Sequence, residues 1–108
     1  MRNNKFNNRK TEYNGFVFDS KKEAEHAQVL DFSRSARNEK QRVEAYRKQV
    51  PYVININGKK ICTYLADFVV QYGDKRIEVQ DVKGFKTDIY KLKKKLVEAV
   101  YNIKIIEY

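Results

Sequence analysis

Residues 43–83 form a β-rich segment that constrains the fold of this chain more than any other feature of its sequence. β-Branched and aromatic residues dominate the segment, and Asn57-Gly58 and Gly73-Asp74 are typical turn signals. Pro51 places one strand at a sheet edge or after a bend, because proline cannot donate a ladder hydrogen bond. Strands are therefore predicted at about residues 43–48, 50–56, 60–71 and 75–83.

Helical segments flank the predicted strands in the sequence. Ser20 begins a helix that is predicted to end near Asn38, and a second helix is predicted over residues 88–101. Before the first helix, Asn14-Gly15 favours a hairpin with a type I′ turn. Residues 103–106 follow as a final strand. The order predicts an α+β (α/β) domain with a central mixed sheet, two flanking helices and an N-terminal hairpin.

The charge of the chain points to a polyanionic partner. Lys and Arg number 23 against 14 Asp and Glu, which gives a formal net charge of +9 and a sequence pI near 9.6. Nucleic acid is the first candidate and an anionic membrane surface the second. No apolar run approaches the ~18 residues of a membrane span. The polar residues 2–12 predict no signal peptide, so we expect a soluble intracellular protein.

The length of 108 residues predicts one domain. Residues 1–12 are rich in Asn, Lys and Arg and predict a flexible basic arm, with the folded domain over 13–108. The single cysteine, Cys62, excludes an internal disulfide framework, and together with the single His26 it cannot build a zinc site. Any metal ion is therefore expected to be a hard cation held by oxygen.

Three charged residues interrupt otherwise apolar faces of the last two strands of the β-rich segment. Asp67 lies on the first of these strands, and Asp81 and Lys83 share one face of the second. An ionised carboxylate in such a place is costly unless a partner neutralises it. One interpretation is an ordinary salt bridge between Lys83 and Asp81, with Asp67 as a hydrogen-bonded residue.

The predicted strand register supports a second interpretation. A three-residue turn pairs Tyr72 with Arg76 and sets Asp67 opposite Asp81, with Cβ atoms about 4.5–5.5 Å apart. Two carboxylates at that distance repel each other or hold a divalent cation such as Mg²⁺. Lys83 on the same face would position or activate a water, or stabilise charge that develops on a phosphate. This pattern predicts a site that cleaves phosphodiester bonds.

The second helix and the loop before it are strongly basic. Six lysines and one acid lie between Lys83 and Lys95, so this face is either solvated or in contact with phosphate. Lys93 falls inside the apolar arc, from which it either extends to solvent or reaches the strand end near Lys83. The candidate phosphate contacts are Lys86, Thr87, Lys91, Lys93 and Lys94. The apolar stripe predicted to face the core is Ile89, Leu92, Leu96, Ala99 and Val100.

These motifs, in this order, resemble those of the PD-(D/E)XK nuclease superfamily, and most closely a family of small phage-encoded proteins within it. The signature has an acidic residue on one strand, (Asp/Glu)-x-Lys on the next, and a Glu on a preceding helix. The matching residues are Asp67, Asp81-Val82-Lys83 and Glu23. The resemblance covers about residues 13–108 and departs at one place, because Ala66 precedes Asp67 where the superfamily often has Pro. The segments that carry it are 18–24, 64–68, 81–84 and 90–93.

The resemblance implies a restriction-endonuclease-like core and a DNA endonuclease that depends on Mg²⁺ or Mn²⁺. Glu23, Asp67 and Asp81 would bind the metal together with the Val82 carbonyl, and Lys83 would complete the catalytic set. It further implies a phage-encoded protein in the bacterial cytoplasm that acts on branched DNA such as a Holliday junction. Similar proteins act as dimers, but no apolar helix face in the sequence identifies a dimer interface, so a homodimer stays an open alternative.

The first helix offers two acidic residues for this role. Glu23 falls on the same side as Ala27 and Leu30, whereas Glu25 points nearly opposite. Glu23 is therefore the candidate that faces the sheet. Its alternative role is that of a capping-box partner for Ser20.

Two other functions are compatible with the charge. The first is a non-catalytic DNA-binding or regulatory module on the same fold. The second is an RNA-binding domain, although the sequence lacks an aromatic RNP-type motif. Metal-dependent cleavage separates the nuclease from both.

Overall fold

A computed structural model describes residues 10–108, so most of the predicted arm lies outside the described residues. The described chain is an α+β domain with two α-helices, a mixed sheet and an N-terminal hairpin, which confirms the predicted architecture. The first strand begins at Thr11, inside the segment assigned to the arm. The elements are β1 (Thr11–Tyr13), β2 (Phe16–Phe18), α1 (Lys21–Phe32), β3 (Val43–Ile56), β4 (Lys59–Tyr72), β5 (Ile77–Asp81), α2 (Asp88–Tyr101) and β6 (Ile105–Glu107).

The main sheet has the strand order β3-β4-β5-β6. The first three strands are antiparallel, whereas β6 pairs parallel to β5, so the sheet is mixed as predicted. β4 lies between two neighbours, and β3 is an edge strand that accommodates Pro51 without loss of an interior ladder bond. The hairpins β1–β2 and β3–β4 both turn through Asn-Gly pairs with positive φ, at Asn14-Gly15 and Asn57-Gly58.

The first helix is shorter than predicted. It ends at Phe32 and is followed by a 3-10 turn at Ser33–Ser35, whereas the sequence predicted a helix to about Asn38. The Ser33 hydroxyl donates to the Val29 carbonyl and the Ser35 hydroxyl to the Phe32 carbonyl. Such local bonds from serine side chains compete with continuation of the helix.

Two separate hydrophobic clusters hold the helices against the sheet. Phe68 and Val70 of β4 pack with α1, whereas Ala66 and Val69 pack in the cluster that contains Val97 of α2. Strict alternation along β4 is therefore broken near Asp67. The helices consequently cover different ends of the long β3–β4 hairpin.

The orientation of α2 corrects a second prediction. Its bounds agree with the predicted 88–101, but Ile89 and Leu92 of the predicted core stripe are 66% and 57% exposed. The fully buried residue of this helix is Val97, at the edge of the apolar arc. A helical wheel locates an apolar arc but does not determine which edge of the arc the sheet covers. Within residues 10–108, no helix is long and apolar enough to cross a membrane.

Candidate active site

Asp67 and Asp81 meet where β4 and β5 lie side by side. The two strands have the predicted register. Phe68 pairs with Gln80 and Val69 with Val79, and the Tyr72 N–H donates to the Arg76 carbonyl. Continued by one residue, this register sets Asp67 opposite Asp81.

The two aspartates are tied to backbone amides of each other's strands. The Asp67 N–H donates to Asp81 Oδ1 at 2.9 Å, and the Val82 N–H donates to Asp67 Oδ2 at 2.9 Å. Asp67 is 6% exposed and Asp81 is fully buried. Burial raises the pKa of Asp81, against the lowering effects of the Asp67 N–H and the Lys83 charge. Asp81 Oδ2 is buried and accepts no hydrogen bond from the described residues.

Glu23 reaches the same place from the first turn of α1. Its backbone N–H donates to Ser20 Oγ, so Ser20 caps the helix, but the Ser20 hydroxyl rather than the Ser20 N–H donates to Glu23 Oε1, so the predicted capping-box bond to the Ser20 amide is not the one that forms. The other carboxylate oxygen, Oε2, accepts from Gln49 Nε2 at 3.3 Å. Glu23 is only 8% exposed, whereas Glu25 is exposed, as the helical wheel predicts. Glu23 thus contacts Ser20 through one carboxylate oxygen and Gln49 through the other.

Gln49 joins Glu23 to Asp67, and it is a site residue that the sequence did not predict. Its amide nitrogen lies 3.3 Å from Glu23 Oε2 and 3.5 Å from Asp67 Oδ1, so the two carboxylates face each other across it. Gln49 has φ +52° and lies between the ladder pairs Lys48–Phe68 and Val50–Ala66. The sequence predicted two strands, 43–48 and 50–56, whereas the structure has the single strand β3 with Gln49 inside it. The predicted break falls on this residue and is the signal that could have identified it.

Burial and the Asp67 carboxylate raise the pKa of Glu23 from 4.5 to about 7. The Ser20 hydrogen bond and the Lys83 charge act in the opposite direction. Unless a cation is added, the pair Glu23 and Asp67 thus carries less than two full negative charges near neutral pH.

This carboxylate pair predicts an unusual effect of charge on stability. Folded protein binds the Glu23 proton more tightly than unfolded chain, so its stability falls as pH rises from 4.5 to about 7. In EDTA at pH 8, we expect Glu23→Gln to stabilise the protein by on the order of 1 kcal/mol, or about 4–8 °C in Tm. At pH 4.5 the gain should vanish. Thermal melts of both proteins at the two pH values check this, with Glu25→Gln as the matched control. Equal effects of the two substitutions would contradict it.

Lys83 completes the group at the end of β5. Its ammonium lies 3.7 Å from Asp67 Oδ2 and 5.0 Å from the centre of the Tyr90 ring. The predicted alternative, a salt bridge from Lys83 to Asp81, is not the one that forms. Lys22 of α1 donates to the Lys83 carbonyl at 3.4 Å. The structure therefore brings Glu23, Asp67 and Lys83 together, with Asp81 behind Asp67.

Lys48 is a cation near the site that the sequence did not predict, as is Lys22. Lys48 lines a small cleft of about 230 Å³ with Gln49, Asp67 and residues 17–19. Its ammonium lies 3.1 Å from the centre of the Phe16 ring, which belongs to the N-terminal hairpin. The hairpin thus forms one wall beside Asp67.

The predicted phosphate contacts on and before α2 have different surroundings. Lys86 Nζ lies 2.9 Å and Lys94 Nζ 3.7 Å from the Glu107 carboxylate, which also accepts from the Tyr90 hydroxyl. The bond from Lys86 chiefly lowers the pKa of Glu107. Exposed ion pairs of this kind are worth about 0–1 kcal/mol, so a phosphate can compete for both lysines.

The remaining three candidate phosphate contacts also differ in their surroundings. Thr87 caps α2, with Oγ1 accepting from the Tyr90 N–H. Lys93 donates to the Thr63 carbonyl at 3.2 Å, so it turns to β4 rather than to solvent or to the end of β5. Lys91 is exposed and available to a ligand.

The donor atoms of the site suit a hard cation. Glu23, Asp67 and Asp81 offer only oxygen, and the buried Asp81 Oδ2 lacks a hydrogen-bond donor among residues 10–108. In that part of the chain, no three His, Cys, Asp or Glu side chains are gathered as a metal-binding group. The acids fit Mg²⁺ or Mn²⁺ by the kind of donor atom, with Glu23 and Asp67 as a facing pair, but the three carboxylates are not gathered into a formed metal site.

Comparison with protein-family models matches residues 3–106 to a family described as "Protein of unknown function (DUF1064)". A search of curated proteins and a search of solved structures found no match. The family description names no activity or ligand, so the geometry of the site is the guide to function.

Proposed function

The chain belongs to the family described as "Protein of unknown function (DUF1064)", and from its site we propose that it is a metal-dependent DNA endonuclease that hydrolyses phosphodiester bonds. The observation that carries the proposal is the meeting of Glu23, Asp67 and Lys83 at one end of the sheet, with Asp81 bonded to the Asp67 amide. Carboxylates held this close beside a cation suit the binding of a divalent metal and a phosphate.

Each member of the site has a separate task in this proposal. Asp67, Asp81 and Glu23 would hold Mg²⁺ or Mn²⁺ with the Val82 carbonyl. The bound ion would supply Lewis-acid stabilisation of charge on the phosphate. Lys83 adds a positive charge beside Asp67, where it stabilises negative charge that develops on a phosphate oxygen. Gln49 orients the two facing carboxylates through its single amide nitrogen.

Cations around the site support DNA as the substrate. Lys22 donates to the Lys83 carbonyl, Lys48 borders the cleft beside Asp67, and Lys86 and Lys94 contact Glu107, which is bonded to Tyr90. Together with the net charge of +9, they favour a polyanion that passes over Asp67. The proposal extends to a phage-encoded protein in the bacterial cytoplasm that acts on branched DNA.

The exposed apolar stripe of α2 supports action as a homodimer. Ile89, Leu92 and Val100 lie on this stripe and are each at least 44% exposed. Exposed apolar surface of this kind is typical of a protein interface. A dimer would present two sites to a four-way junction.

One observation favours the competing proposal of a non-catalytic DNA-binding module. Asp67 and Asp81 each accept a hydrogen bond from a backbone amide, which gives both a structural role without any metal. In that case DNA would bind through the lysines alone.

A cleavage assay separates the two proposals. Purified protein would be incubated with supercoiled plasmid, linear duplex and a synthetic four-way junction, each with Mg²⁺, Mn²⁺ or EDTA. We expect cleavage with either metal and none in EDTA, because the acids alone cannot neutralise the phosphate. Preferred cutting of the junction would identify branched DNA as the substrate. Binding of all three DNAs without cutting in either metal would refute the nuclease.

A further inference from the structure

A second cavity of about 590 Å³ lies between the end of α1 and the outer part of the sheet, away from the carboxylates. Its volume is in the range of small-ligand sites in proteins. We call it the aromatic cavity, and the lining residues that matter here are His26, Phe32, Tyr72, Arg76, Glu78 and Tyr108.

A fully buried glutamine fixes the polar wall of this cavity. Gln80 donates from Nε2 to the Tyr72 hydroxyl and to Glu78 Oε1, both at 2.9 Å. A carboxylate only accepts hydrogen bonds, so the Gln80 atom that contacts Glu78 must be the amide nitrogen. The other amide atom, Gln80 Oε1, therefore accepts from His26 Nε2 at 2.7 Å. The neutral imidazole therefore carries its proton on Nε2. Tyr72, Glu78 and His26 are held in place before any ligand binds.

Aromatic rings supply the other walls. The His26 ring lies 5.1 Å from Phe68 and 4.7 Å from Tyr108, measured between ring centres. The Arg76 guanidinium lies 4.4 Å from the centre of the Tyr72 ring. Phe32 at the rim is 82% exposed. The cavity thus combines flat π surfaces with a carboxylate that accepts hydrogen bonds.

We propose that the aromatic cavity binds an unpaired nucleobase that carries an exocyclic amine. The ring would stack on the exposed Phe32, and the amine would donate to Glu78, as carboxylates do with the amino group of cytosine. Lys40 at the rim makes no side-chain ion pair within residues 10–108, so its ammonium is available to the attached phosphate. Glu78 Oε2 also accepts from Arg76 Nε at 3.2 Å and Oε1 from the Tyr108 hydroxyl at 3.3 Å, and Oε2 has a further lone pair for the amine.

The position of the cavity connects it to the proposed cleavage site. His26 follows Glu23 by one helical turn, a rise of about 4.5 Å. Tyr72 follows Asp67 by five strand residues, about 17 Å. One DNA strand can therefore occupy both places, with a displaced base in the cavity and a phosphate at Asp67. The inference rests on the proposed function in taking DNA as the source of the base.

The test uses a duplex with one bulged 2-aminopurine, whose fluorescence changes on stacking, in EDTA so that no cleavage is needed. We expect Phe32→Ala to bind the bulge at least about fivefold more weakly, the effect of losing one base–aromatic stack. Ala36→Trp, which fills the cavity, should reduce binding similarly. Ile61→Ala, at a half-exposed residue of β4 outside the cavity, should bind like the parent.

Competition assigns the source of the base. Displacement of the bulge by AMP but not by ribose 5-phosphate would support a nucleobase site that also accepts free nucleotides, whereas no displacement by AMP would support DNA as the source. Unchanged binding and fluorescence in both cavity variants would overturn the inference. Stacking is measured without metal, so it does not depend on cleavage. A protein that stacks the bulge in EDTA but cuts no DNA in Mg²⁺ or Mn²⁺ would refute the nuclease and leave the cavity assignment intact.

Discussion

Asp81→Asn is expected to lower DNA cleavage by at least about a hundredfold while leaving DNA binding unchanged, since the loss of one charge-stabilising group at such a site costs this much or more. The carboxylate is fully buried, and its Oδ2 accepts no hydrogen bond from the described residues, so the structural role of Asp81 is the bond from the Asp67 N–H to Oδ1. Asparagine has the same shape, and its oxygen can still accept from the Asp67 N–H. Rates of plasmid and junction cleavage in Mg²⁺, with dissociation constants measured in EDTA, check this.

Melting temperatures show whether Asp81→Asn loses DNA cleavage through the missing charge or through damage to the fold. Burial raises the pKa of Asp81, so a neutral side chain at this position relieves a cost, and we expect Asp81→Asn to melt at the parental temperature or above. Glu25→Gln is the matched control, because Glu25 is exposed on α1 and should keep parental cleavage. Parental cleavage by Asp81→Asn would remove this residue from the mechanism.

The register of Asp67 and Asp81 could be predicted because local rules and the apolar pattern agree. The short turn pairs Tyr72 with Arg76, and a shift by one residue would move Asp81 to the other face. The bounds of α2 were predicted from the 3.6-residue period of its apolar residues, and the cap by Thr87 was found only in the structure. Each of these features depends on neighbours within the chain.

Features that depend on contacts distant in the sequence were not predicted. The positive φ of Gln49 and the change of phase at Asp67 arise where two strands and a helix end meet. The turn of α2 toward the sheet depends on Val97 rather than on the centre of its apolar arc. His26 gave no sign of its bond to Gln80, because the partners lie 54 residues apart. Periodicity identifies which faces are apolar, but packing selects among them.

Phe68 is the residue through which the site is attached to the core. It directly follows Asp67, is 1% exposed, and belongs to the cluster that holds α1 against the sheet. Its ring lies 5.1 Å from His26, 5.8 Å from Tyr46 and 6.4 Å from Phe18. These contacts join the N-terminal hairpin, α1 and β3 to the central strand.

Phe68→Ala is therefore expected to destabilise the protein by about 3–5 kcal/mol, the usual cost of emptying a buried phenylalanine site. That is a large part of the about 5–15 kcal/mol that stabilises a domain. Urea unfolding monitored by circular dichroism should show a much lower midpoint with a similar slope. Phe32→Ala makes the same chemical change at a side chain that is 82% exposed, and we expect a shift within about 0.5 kcal/mol. Equal losses from the two substitutions would mean that Phe68 does not anchor α1 and the hairpin to the sheet.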